Sequence, residues 1–99
     1  MQFLEEEPDN PFNIYALAME YQTEKPEKAR LYFDQLVAEH PDYLPTYYQA
    51  AALYAELDER SKTIELYEKG ILLAQAQENQ KTLLELQRAR QAFEDEDDW

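Results

Sequence analysis

Few side chains in this chain are placed to do chemistry. His40 is the only histidine and Ser61 the only serine. A Ser–His pair becomes a nucleophile only when an acid orients the imidazole and nearby donors receive the oxyanion. The sequence marks no orienting acid and no oxyanion hole for His40 and Ser61, so the pair is not read as a triad. A metal would need further nitrogen or oxygen ligands converging on His40, which stands beside Pro41 in a turn and has none at ligand spacing. With no cysteine in the chain, thiolate sites and a disulfide framework are excluded. The acidic run Glu94–Asp98 lacks the glycine and the alternate spacing of a calcium loop, so adventitious cation binding is the most it offers. Gly70 is the only glycine, and phosphate-cradling loops need several so that backbone N–H groups can approach the anion. No catalytic residue, metal ligand or cofactor is expected, and the chain is read as not an enzyme.

What remains is recognition by surface shape, and its raw material is aromatic. Thirteen of the 99 residues are Phe, Tyr or Trp, and five helices are expected to place them. Asn10-Pro11 starts the first, with Asn as N-cap and Pro where a lost N–H costs nothing. To about Thr23, Ile14, Leu17, Ala18 and Tyr21 recur on one face and Phe12, Tyr15 and Met19 on a neighbouring one. A helix apolar on two faces must meet two surfaces, and one of them can belong to a partner. Pro26 opens the second helix, to about Glu39, with Ala29, Phe33, Leu36 and Val37 inward and Tyr32 beside them. After His40-Pro41 a third runs from Tyr43 or Leu44 to Leu57, with Tyr47, Ala50, Ala51 and Tyr54 inward and Tyr48 and Ala52 adjacent. Asp58 is read as N-cap of a fourth, about Glu59 to Ala76, whose apolar set is Ile64, Tyr67, Ile71 and Leu72. Gln75–Gln80 reads as a turn. A fifth helix over about Lys81–Phe93 buries Leu83, Leu86, Ala89 and Phe93.

The pattern repeats. Tyr21 to Tyr54 is 33 residues, and Phe33 to Tyr67 and Ala29 to Thr63 are each 34. Such periods mark arrays of helical hairpins, which bury their faces only by stacking on one another. The first unit reads Ile14-x2-Leu17-Ala18-x2-Tyr21, then Ala29-x3-Phe33, then Pro41; the second reads Tyr47-x2-Ala50-Ala51-x2-Tyr54, then Thr63-x3-Tyr67. At these residues the chain resembles the tetratricopeptide repeat (TPR) family, as a small two-repeat bacterial-type member with a C-terminal capping helix. The resemblance implies an all-α fold, two helix–turn–helix repeats and a cap wound into a right-handed α-α superhelix. The expected organisation is an acidic tail over 1–10, a repeat domain over 11–93 and an acidic tail over 94–99. Within the domain, repeat 1 spans about 11–43, repeat 2 about 44–77 and the cap about 81–93.

Departures from the family pattern carry their own expectations. Ala50 stands where a large residue is usual and Leu36 where a small one is, which reads as an exchange of size. Thr63 replaces an alanine, and Gln75 replaces the closing proline. Gly70 costs about 1 kcal/mol of helix propensity and is read as letting the next helix approach closely.

The resemblance also implies a function. Proteins similar to this family bind extended or helical peptides along the concave face, making the chain a non-catalytic scaffold or adaptor. Carried over, that face holds Phe12, Tyr15, Met19 and Gln22 from helix one, Tyr48, Gln49, Ala52 and Ala55 from helix three, and Leu84 and Arg88 from the cap. The clamp by which some relatives hold a C-terminal carboxylate is absent, because Tyr15 and Met19 stand where its cation and amide would be; Arg88 alone is placed for one anionic group. Tyr and Met suit such contacts, since they bury area at modest entropic cost and adapt in shape. The alternative is homo-oligomeric assembly, a self-association through the same apolar face.

Charge narrows the partners. The formal net charge is −13, and nine acids lie in the end segments, leaving 13 acids against nine bases between them. Acidic ends solvate the chain and can steer a basic partner. Phosphates would be repelled and no Lys/Arg stripe exists, so no nucleic-acid partner is expected. No apolar run approaches the roughly 18 residues of a membrane span, and the first ten residues lack the regions of a signal peptide; the expected location is the cytoplasm, with no membrane contact. Phe3 and Leu4 are read as able to tuck back onto the domain, and Trp99 as a free end or an anchor in a groove.

Overall fold

The computed structural model describes residues 10–96. Expectations for Phe3, Leu4, the acidic residues 5–9 and Trp99 lie outside them. Five helices follow one another: α1 (Pro11–Tyr21), α2 (Pro26–Glu39), α3 (Pro45–Glu56), α4 (Arg60–Ala76) and α5 (Gln80–Glu96). No strand occurs among the described residues. The slab measures 45 × 32 × 19 Å, so its short dimension is about two helix diameters.

Proline sets three of the five starts. Pro11, Pro26 and Pro45 each open a helix where their missing N–H would have no partner. The Asn10 side chain accepts from the Phe12 N–H at 2.9 Å, as an N-cap should. Leu44 already has helical backbone angles, which places the start of α3 within a residue of expectation.

The ends of α3 and α4 differ from the reading above. Asp58 is not an N-cap; it takes φ +61°, and Glu78 takes φ +56° at the matching place after α4. In both turns the left-handed residue bonds back to the carbonyl three before it, and the next residue to the carbonyl five before: Asp58 to Ala55 and Glu59 to Tyr54, Glu78 to Gln75 and Asn79 to Ala74. This paired closure satisfies orphan carbonyls without the expected proline. Asn79 then serves the following helix, its side chain accepting from the Thr82 N–H at 3.1 Å. At the far end α5 continues past Phe93 to Glu96, because Arg90–Glu94 and Gln91–Asp95 pairs carry the first acids of the run in helical register.

The core runs through all five helices, from Ile14 and Ala18 through Phe33, Leu36, Ala50, Ala51 and Tyr54 to Leu66, Tyr67 and Leu86. Leu36 and Ala50 are both fully buried in it. Helix α4 corrects the sequence reading. Its buried residues are Thr63, Leu66, Tyr67, Gly70 and Ala74, whereas Ile64 and Ile71 are half-buried and Leu72 is 66% exposed. The buried stripe follows small residues, so counting only large apolar ones rotated the predicted face. Thr63 fits there because its hydroxyl donates to the Glu59 carbonyl at 2.9 Å. On α5 only Leu86 is fully buried, with Leu83, Ala89 and Phe93 half-buried against the core; among the described helices its main neighbour is α4.

Candidate functional site

The Tyr47 hydroxyl donates to the Pro41 carbonyl, tying the α2–α3 turn to the body of α3. That turn holds Tyr43 against α1: the Tyr15 and Tyr43 rings meet edge to face at 5.9 Å, and Tyr15 meets Phe33 likewise at 6.4 Å. A second tie joins this turn to the α4–α5 turn, where the Gln77 side-chain amide donates to the Asp42 carbonyl at 3.0 Å. The result is a cleft of about 660 Å³. Tyr15 of α1 and Tyr48 and Gln49 of α3 form one part of its wall. The α2–α3 turn supplies Asp42, Tyr43, Leu44 and Pro45, and the far side is made by Gln77, Asn79, Thr82 and Glu85.

Three of the residues expected from sequence therefore meet here: Tyr15, Tyr48 and Gln49. Tyr48 is 41% exposed and its ring stands open. Met19 follows Tyr15 by four residues, and Ala52 and Ala55 follow Tyr48 by four and seven, so they continue the same helix faces away from the cleft. Met19 is 37% exposed, and the two alanines are half-buried. Gln22 lies beyond, in a separate recess with Pro26, Leu53 and Leu57. The structure does not bring the remaining three to the cleft. Phe12 is 60% exposed at the start of α1. Leu84 and Arg88 are each two residues from the buried Leu86, about 200° around the helix, and both are exposed.

On α5 the cleft takes Thr82 and Glu85 instead. A signal for Thr82 existed: Tyr15, Tyr48 and Thr82 are spaced by 33 and 34 residues, the repeat period itself. Asp42, Tyr43, Gln77 and Asn79 belong to turns, where no helical periodicity marks them.

The Tyr15 and Tyr43 hydroxyls of the cleft are held in their neutral form. Burial, and then the neighbouring Tyr43, push Tyr15 above the ordinary phenol value, and burial does the same for Tyr43. Both remain hydrogen-bond donors across the physiological range. Among the described residues, the charges at the cleft are the carboxylates of Asp42 and Glu85, and no lysine or arginine lines it.

The residues first weighed for catalysis do not line the cleft. His40 ends α2 with its Nε2 buried and without a hydrogen bond. Ser61 is in an exposed recess with Glu59, Arg60, Lys62 and Glu65. Among the described residues no group of three His, Asp or Glu could hold a metal, and no helix is long and apolar enough to cross a membrane.

No protein-family model and no curated protein matches the chain. Solved structures do. A solution NMR structure of a tetratricopeptide repeat domain protein from Salinibacter ruber is 39% identical, with a TM-score of 0.83, over 89% of this chain and 90% of that one. A crystal structure of the tetratricopeptide repeat domain protein from the same organism is 40% identical, with a TM-score of 0.81, over 86% and 97%. The chain belongs to the tetratricopeptide repeat family. The TPR fold serves in general as a module for protein interaction and as a non-catalytic scaffold, and this member has the tyrosine cleft between its repeats.

Proposed function

We propose that this TPR chain is an adaptor that binds a peptide or protein segment in the cleft between Tyr15, Tyr43 and Tyr48 and along the face continued by Met19, Ala52 and Ala55. The observation that carries the reading is the open cleft, where Tyr48 leaves two-fifths of its surface uncovered beside two edge-packed tyrosines. Aromatic side chains of this kind anchor interfaces, because they bury a large area at low entropic cost. Location in the cytoplasm follows as part of the same proposal. Self-association through this face is the weaker reading, since two copies at −13 each repel.

Affinity capture with the full chain tests the groove. Tyr48→Ala removes an exposed ring, so captured partners should be lost or weakened roughly tenfold while the melting temperature holds. Tyr15→Ala should do the same at some cost in stability, because Tyr15 also packs on Phe33. An unchanged set of partners with Tyr48→Ala rejects the groove.

A further inference from the structure

Two tyrosine rings in this chain seat some of its own cations. The Arg30 guanidinium lies over the Tyr54 ring at 5.1 Å and is held at 2.6 Å by Glu59. The same ring carries the Asp34 carboxylate on its hydroxyl and Lys62 at 5.9 Å. Lys28 sits over Tyr21 at 4.5 Å. At Tyr54, then, a tyrosine face with carboxylates beside it seats an Arg and a Lys, and at Tyr21 a tyrosine face seats a Lys.

The cleft contains the same parts without the cation. Tyr15, Tyr43 and Tyr48 provide the rings, and Asp42 and Glu85 the carboxylates. Among the described residues neither Asp42 nor Glu85 joins an ion pair. The charged side chains of residues 1–9 and 97–99 (Glu5, Glu6, Glu7, Asp9, Asp97 and Asp98) are all acidic, so none of them is a Lys or Arg that could complete such a seat. A second copy carries the same net −13.

We infer that the occupant of the cleft is a protein segment bearing Lys or Arg, whose cation stacks on the tyrosine rings and pairs with Asp42 and Glu85. This deepens the groove reading and rests on it. The acidic remainder of the chain adds attraction at long range, which accelerates encounter and fades with salt.

The test uses the full chain and an arrayed library of capped nine-residue peptides, with hits measured by NMR titration. Sequences enriched in Lys and Arg should bind and shift the amides of Tyr43, Tyr48 and Thr82. Asp42→Asn with Glu85→Gln should weaken those hits roughly tenfold. The hydrogen bond from Gln77 is kept in that variant, because it uses the backbone carbonyl of residue 42. Glu20→Gln with Glu56→Gln, an equal charge change at exposed sites that do not line the cleft, should change little. Equal losses from both pairs would mean diffuse attraction and overturn the inference. Neutral or acidic peptides binding the cleft as tightly as basic ones would overturn it while leaving the groove reading intact. If no peptide shifts the cleft amides, both readings fall.

Discussion

The Tyr54 hydroxyl donates to the Asp34 carboxylate inside the stack. Burial, reinforced by that carboxylate, pushes its ionisation up to about 12, against roughly 10 for a free phenol. The shift fixes a dependence of stability on pH. Below pH 10 both folded and unfolded chains hold the proton, and the contribution is complete. Between pH 10 and about 12 the unfolded chain ionises while the folded one does not, so stability falls as pH rises. Tyr15, Tyr43, Tyr47 and Tyr67 are raised in the same direction, mainly by burial. The urea midpoint is expected to decline across this window, and less steeply in Tyr54→Phe; parallel curves for the two proteins would show that Tyr54 does not contribute.

At the scale of elements, Gly70 decides how closely three helices meet. A Cβ at this position would stand 2.7 Å from the Tyr47 Cβ of α3 and 3.0 Å from a Leu86 methyl of α5. The first neighbour is fixed to its backbone and cannot swing aside. Gly70→Ala adds about 1 kcal/mol of helix propensity, but overpacking of this kind costs typically about 1–3 kcal/mol. The prediction is net destabilisation, read as a lower urea midpoint. A gain in stability would mean that α4 can move away from α3 without loss. The close approach expected from sequence is thus found on two sides of α4, with Tyr47 the tighter contact.

For the molecule as a whole, the order of packing follows the order of the chain: α1 on α2, α2 on α3, α3 on α4, α4 on α5. Stability in such a stack is close to a sum over neighbouring pairs. Leu86 is the only fully buried residue of α5, so Leu86→Ala should cost about 2–5 kcal/mol and act first at that end. Hydrogen exchange should accelerate most in α5 and α4 and least in α1 and α2. Uniform loss of protection would instead mean that the five helices open as one unit.

The sequence by itself determined the number and order of the helices, because prolines, caps and 3.6-residue periodicity act within a few residues of one another. The 33- and 34-residue spacings added the repeat, and Ile14, Phe33, Ala50, Tyr54 and Tyr67 were legible as core from their register. Three tyrosine-cleft positions, Tyr15, Tyr48 and Gln49, were also readable, since the helix faces that carry them repeat. The inward face of α4 was not, because Thr63, Gly70 and Ala74 are buried for their small size against Tyr47 and Leu86, which only the stacked neighbours reveal. The same holds for Asp42, Tyr43, Gln77 and Glu85. Two turns separated by a whole helical hairpin in the chain, together with the start of α5, become the walls of one cleft only when the repeats stack; that juxtaposition brings Asp42 and Glu85 to the cleft and, among the described residues, no Lys or Arg.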